Sequence, residues 1–201
     1  MKINGVISWI LLLLATIDIL AWLWILLRER KISQQVRRVF TGLGFRATIW
    51  PRRTFIGQLD GKPCKIKLSL QGNLTTHTQV LKIWLHGAFS TRLAIGHPGW
   101  VGFHPDLMVV LPPPGYSDLT IYAADHITAG ELLQQDEVRQ PILQLFQTFP
   151  HAQVALNISP SVIRLWLYNF DLETLTQAAT GHWLEVLGET GKLFESAIPG
   201  T

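Results

Sequence analysis

The chain has 201 residues, 48% of them hydrophobic and 15% charged, with a formal net charge of +3. Its one cysteine, Cys64, excludes an internal disulfide and any four-cysteine metal site. The length suits one domain behind an N-terminal segment, and neither a repeat at a solenoid period nor a low-complexity tract divides it.

From Ile3 to Leu27 run 25 residues whose only ionisable side chain is Asp18. A bilayer core needs about 20 apolar residues as helix, and no small-x-small cleavage site follows, so residues 1–27 predict an uncleaved transmembrane helix. Trp9, Trp22 and Trp24 suit interfacial belts. The flanking cations are asymmetric: Lys2 on one side, and Arg28, Arg30, Lys31, Arg37 and Arg38 on the other. The positive-inside rule then predicts a single-pass protein of a bacterial plasma (inner) membrane, with its N-terminus outside and its C-terminal domain cytoplasmic. The five cations are expected to contact anionic lipid headgroups.

Steps of four and three residues from Asn4 pass through Ser8, Leu11, Ala15, Asp18, Trp22 and Ile25, a heptad-like seam. Small residues permit close approach of helices in lipid, and polar ones bond across the contact. This seam is therefore the expected docking strip for a helix of an integral-membrane partner that neutralises Asp18.

Residues 28–44 read as a basic juxtamembrane helix or linker, with Ile32, Val36, Val39 and Phe40 at helical spacing and an end at "TGLG". An α+β domain is expected over 45–195. Strand-like segments are "FRATIW", "TFIGQLD", "GKPCKIKLSL", "QVLKIWLHGA" and "STRLAIG", with "PRR" as a turn and "QGNLTTH" as a polar loop. In the third of these, Cys64, Ile66, Leu68 and Leu70 share one face, which makes Cys64 a buried hydrophobe. "GHPGWVGFHPD" is an irregular loop, and "LMVVL" and "DLTIYAA" are further strands around "PPPGYS".

At Thr128 the period changes. Thr128 and Glu131 fit a capping box for a short helix. A second helix opens at Asp136, with Val138, Ile142, Leu145, Phe146 and Phe149 as its apolar stripe. "QVALNI" and "SVIRLWLYN" predict a hairpin. Asp171 is expected to cap a last helix whose Leu172, Leu175, Ala179, Val186 and Leu187 face inward. The fold class is thus α+β: an N-terminal transmembrane helix, then an antiparallel sheet with two main packed helices.

Charge is divided along the chain. Residues 28–92 hold 13 Lys/Arg against Glu29 and Asp60, and residues 93–201 hold three against 11 acids. Nucleic acid is disfavoured as a partner, because neither a binding motif nor a basic-aromatic platform accompanies the cations. No Gly-x-Ser-x-Gly, Walker or Gly-x-Gly-x-x-Gly pattern occurs. His97, His104 and Asp106 are spaced too widely for the usual zinc ligand pairs. No catalytic residue, cofactor or metal is assigned. Candidate partner contacts are Trp100 and Phe103 in the Gly-rich loop, and Arg164, Trp166 and Tyr168 on the outward face of the last strand.

On "GQLDGKPCKIKLSL" and "SDLTIYAADHITAGELLQQDEVRQPILQLF", followed by a closing strand pair and helix, the chain resembles uncharacterised bacterial single-pass membrane-anchored proteins with a cytoplasmic α+β domain. The resemblance implies the architecture and transfers no activity. The expected function is an accessory or scaffold subunit that docks onto a larger integral-membrane complex, electron-transport and light-harvesting assemblies being examples. The alternative is a membrane-tethered ligand- or lipid-binding module, and an enzyme with an unrecognised site is the third reading.

Overall fold

The computed structural model describes residues 3–49, 53–71, 78–102, 105–149, 151–170 and 172–196, and the chain divides into two compact units, Met1–Arg38 and Val39–Thr201. Helix α1 runs from Ile3 to Gly42. Its end follows from Gly44, whose φ of +86° only glycine adopts freely. That turn lets Phe45 N–H donate to Phe40 O and Gly44 N–H to Thr41 O, a Schellman closure. The Phe40 and Phe45 rings meet edge-on at 6.2 Å.

The expectation of a membrane span is corrected here: among the described residues no helix is long and apolar enough to cross a membrane. The single-pass topology, the inner-membrane address and the inside–outside orientation all depended on that span and are withdrawn with it.

The second unit holds nine strands among the described residues. They are β1 (Arg46–Ala47), β2 (Thr54–Leu59), β3 (Lys62–Gln71), β4 (Thr78–His86), β5 (Leu93–Gly96), β6 (Met108–Val110), β7 (Thr120–Ala123), β8 (Gln153–Ser159) and β9 (Val162–Tyr168). They form one sheet in the order β1-β2-β3-β4-β9-β8-β5-β7-β6, and every pairing is antiparallel. β2 and β3 are joined by Asp60-Gly61, both at positive φ (50° and 77°), the two-residue turn whose twist matches a hairpin. "QGNLTTH" lies almost wholly outside the described residues, as does most of "PRR".

Register decides where the core sits. Cys64, Leu85, Ile163 and Ile158 lie in one cross-strand row, and Ile66, Ile83, Leu165, Leu156, Ile95 and Ile121 in the next. All of them are buried. Each such side chain contributes about 1.5–3 kcal/mol by leaving water. This face is covered by α3 (Asp136–Gln147) and α4 (Gln177–Ser196). A Cβ at Gly191 of α4 would come within 3.0 Å of Leu85, so the helix backbone lies directly on β4. Trp183 is fully buried between the helices, donating Nε1–H to Leu145 O at 3.4 Å, with its ring 5.3 Å from Phe149. Two ion pairs bind α4 to the β2–β3 hairpin, Lys62–Glu195 and Lys192–Asp60, each at 3.1 Å. The stripe of α3 is buried as its spacing predicts.

Two caps differ from expectation. α2 (His126–Gln134) is capped by Asp125, whose carboxylate accepts from Ile127 N–H at 3.0 Å, Thr128 N–H at 3.3 Å and the Thr128 hydroxyl at 2.6 Å. Thr128 therefore sits inside the helix as a donor to the cap. α4 begins at Gln177, with the Thr176 hydroxyl accepting Ala179 N–H at 3.2 Å. Leu172 and Leu175 precede it, Leu172 in a 3₁₀ turn (Leu172–Thr174), and both are buried. Asp171 lies outside the described residues.

Candidate interaction surface

The other face of the sheet differs in kind. Strand alternation turns Lys65, Lys67 and Ser69 of β3 to the side opposite Cys64, Ile66 and Leu68. Pairing then sets them among residues far away in the chain. One row reads Arg46, Ile56, Lys65, Trp84, Arg164, Asn157, Ala94, Tyr122 and Val109. The next reads Thr54, Lys67, Lys82, Trp166, Ala155, Gly96 and Thr120. None of these positions is a carboxylate.

Cations stand over the indoles on this face. Lys82 Nζ is 4.9 Å from the centre of the Trp166 ring and Lys65 Nζ is 5.6 Å from that of Trp84. Each is within reach of the negative face of the ring. Trp166 packs edge-on to Tyr168 at 6.2 Å, and Trp100 lies on Tyr168 at 4.5 Å. Val80, Ala155 and Tyr168 are buried beneath these rings. Burial also raises the Tyr168 hydroxyl above the ordinary phenol range.

Trp100 arrives there because the loop after β5 folds back. His97 N–H donates to Val154 O at 3.1 Å, and the His97 ring Nδ1 accepts Val154 N–H at 2.9 Å. The Nδ1 acceptor role puts the ring proton of the neutral form on Nε2. His97 thus extends the β5–β8 pairing through its side chain. Val101 then settles over Gly96, where a Cβ would come within 2.9 Å of it. Phe103 and His104 lie outside the described residues.

At one end of this surface a cleft of about 180 Å³ is lined by Arg92, Asp106, Asn157, Ser159 and Arg164, among others. The guanidinium groups of Arg92 and Arg164 make no ion pair among the described residues. Guanidinium forks match carboxylate and phosphate oxygens.

The structure therefore brings together Trp100, Arg164, Trp166 and Tyr168 of the expected partner contacts. It adds Lys65, Lys67, Lys82, Trp84 and Arg92. The alternation of β3 and β4 carried the signal for the lysines and Trp84. Their union with Arg164 required the β4–β9 pairing across about 80 residues of chain. A basic-aromatic surface thus exists that no single segment displays.

Of the expected helix seam, Ala15, Asp18, Trp22 and Ile25 are exposed, as is every described side chain from Leu12 to Leu27. Exposure does not single out the seam among them. The side chains of Asn4, Ser8, Leu11 and Arg28 lie outside the described residues. Arg30, Arg37 and Arg38 are exposed and Lys31 is largely so.

Chemistry on this molecule is otherwise sparse. Among the described residues no group of three His, Cys, Asp or Glu could hold a metal ion. Cys64 is buried, and burial pushes its thiol up to about 12.

No family model matches the chain, and no curated protein matches it. Among solved structures it is similar to the mycobacterial trehalose monomycolate transport factor A, TtfA, with 13% identity and a TM-score of 0.50, over 78% of this chain and 96% of that one. At that identity the likeness shows an α+β fold in common and no more.

Proposed function

We propose that the protein is a non-enzymatic accessory or scaffold subunit that docks onto a larger integral-membrane complex. The observation that carries this reading is the one-sided sheet, with helices on one face and tryptophans, tyrosines and cations on the other. Trp, Tyr and Arg are the residue types enriched in protein interfaces. The exposed apolar side chains of α1 from Leu12 to Leu27 support it further, since a contiguous apolar surface marks an interaction site. The similar protein TtfA is a trehalose monomycolate transport factor, which agrees with a role outside catalysis.

Purification of the tagged full chain in mild detergent tests this reading. A stoichiometric partner is expected with the wild type and is lost from Trp84→Ala/Arg164→Ala, while the circular dichroism spectrum is unchanged. Recovery of the chain alone, or a partner indifferent to both substitutions, refutes it.

A second reading, a ligand- or lipid-binding module, is favoured by the cleft that holds Arg92 and Arg164. It predicts that a small anionic ligand raises the melting temperature of the full chain and that Arg92→Gln abolishes the shift.

A further inference from the structure

We infer that the lysine-bearing half of the open sheet face, β2 to β4 with β9, binds the phosphate headgroups of an anionic lipid surface. Lys67 and Lys82 are direct cross-strand partners. Like charges placed so are destabilising, and folding gains nothing from them. Elsewhere in this unit lysines are matched: Lys62 has Glu195 and Lys192 has Asp60. On the open face Lys65, Lys67, Lys82 and Arg164 have no carboxylate partner among the described residues. An external anion can supply the compensating negative charge.

Three anionic occupants differ in what they require. Lysine is depleted in protein interfaces, so Lys65, Lys67 and Lys82 on β3 and β4 flank the proposed partner contact and do not form its centre. A single-stranded nucleic acid needs open ring faces for its bases. Here Lys82 stands over Trp166, Lys65 over Trp84, and Trp100 lies on Tyr168. Headgroup phosphates need only an array of cations on a broad surface, with amphipathic rings and lysine stems beside them. The exposed Ile56 extends that array with an apolar side chain. The inference rests on the proposed membrane-embedded partner for its setting alone, because pure lipid suffices to test it.

The full chain is mixed with vesicles of phosphatidylcholine, or of phosphatidylcholine doped with phosphatidylserine, and lysine acetylation rates are read by mass spectrometry. Acetylation at Lys65, Lys67 and Lys82 should slow several-fold in the doped vesicles only, and recover in about 1 M salt, where the Debye length is about 3 Å. Lys192, paired with Asp60, should be unaffected. In Lys67→Gln/Lys82→Gln, affinity for the doped vesicles should fall about fivefold per lysine removed, and protection at Lys65 should vanish. Equal rates in the two vesicle types overturn the inference. So does protection by an oligonucleotide or an acidic polypeptide but not by phosphatidylserine. Failure here leaves the co-purification result standing, and loss of the partner there leaves lipid protection standing.

Discussion

Cys64 is placed where its sulfur behaves as a small hydrophobe, and two substitutions make that measurable. The side chain is 1% exposed, lies beside Leu85 and Gly57 in the ladder, and faces the helix layer. Cys64→Ala removes one heavy atom, at about 1 kcal/mol for the lost burial. Cys64→Ser keeps the size but leaves a hydroxyl in a site built of hydrocarbon, where an unsatisfied polar group costs about 1–3 kcal/mol. The expected order of stability in urea unfolding is therefore wild type, Ala, Ser.

The thiol supplies a second reading of the same site. Burial moves it from 9.0 to about 12, so at pH 8 the native thiolate is about a thousandfold rarer than in the unfolded chain. Iodoacetamide should label the native protein at least that much more slowly. The sign for stability follows from which state holds the proton. Below pH 9 both states hold it and the contribution is complete. Between about 9 and about 12 the unfolded chain loses its proton while the native chain keeps it, so stability falls by about 1.4 kcal/mol per pH unit. Wild type minus Cys64→Ala should show that slope, with the lysines and tyrosines common to both cancelling. Rapid alkylation of the native chain, or Cys64→Ser as stable as Cys64→Ala, refutes burial as the cause.

Trp183→Phe loses the hydrogen bond to Leu145 O and part of the ring, and should cost about 1–3 kcal/mol in urea unfolding, against about 3–5 for Trp183→Ala. Gly96→Ala sets a Cβ within 3.1 Å of Val154 O and 3.2 Å of the Ala155 Cα, backbone that cannot yield. It should cost about 1–3 kcal/mol and speed proteolysis of the 97–102 loop. The Asp125 carboxyl is held below its ordinary value of 3.8, first by the Thr128 hydroxyl and then by Thr128 N–H. Its capping contribution is complete above that value and is lost as pH falls through the native one. Carboxyl ¹³C titration should place the Asp125 midpoint below 3.8 and move it upward in Thr128→Val.

Period-two alternation made most of the sheet legible. Cys64, Ile66 and Leu68 with Leu81, Ile83 and Leu85 announced an apolar face, and Arg164, Trp166 and Tyr168 announced the opposite one. The α3 stripe was equally plain, because five apolar residues at 3.6 spacing have one reading. The caps were not. "DHITAGE" offers Asp125 as a cap and Thr128–Glu131 as a capping box, and the register of the helix, set by Ala129 and Leu133 entering the core, decides between them. Trp183 was missed for a related reason. Capping at Asp171 places the helix start five residues early and draws its inward face through Ala179, whereas Thr180, Trp183, Leu184, Val186, Leu187, Thr190 and Phe194 are its buried positions. The order of strands could not be read at all, since neither β4–β9 nor β5–β8 leaves a local trace.

That last gap bears on function. A solvated sheet face is cheaply stabilised by pairing opposite charges across strands. This sheet has lysine opposite lysine at 67 and 82, and tryptophan between cations at 84, between Lys65 and Arg164. Asp106 lines the cleft together with Arg92 and Arg164. Such a face is poorly matched to water and well matched to an anion that arrives after folding. The rings beneath the lysines hold those amines at fixed positions, so less side-chain entropy remains to be lost on contact. Exchanging Trp166 for Leu should therefore weaken an anionic contact while leaving every cation in place. Retention of full binding by Trp166→Leu would mean that charge alone, and not the geometry of the sheet, makes the surface.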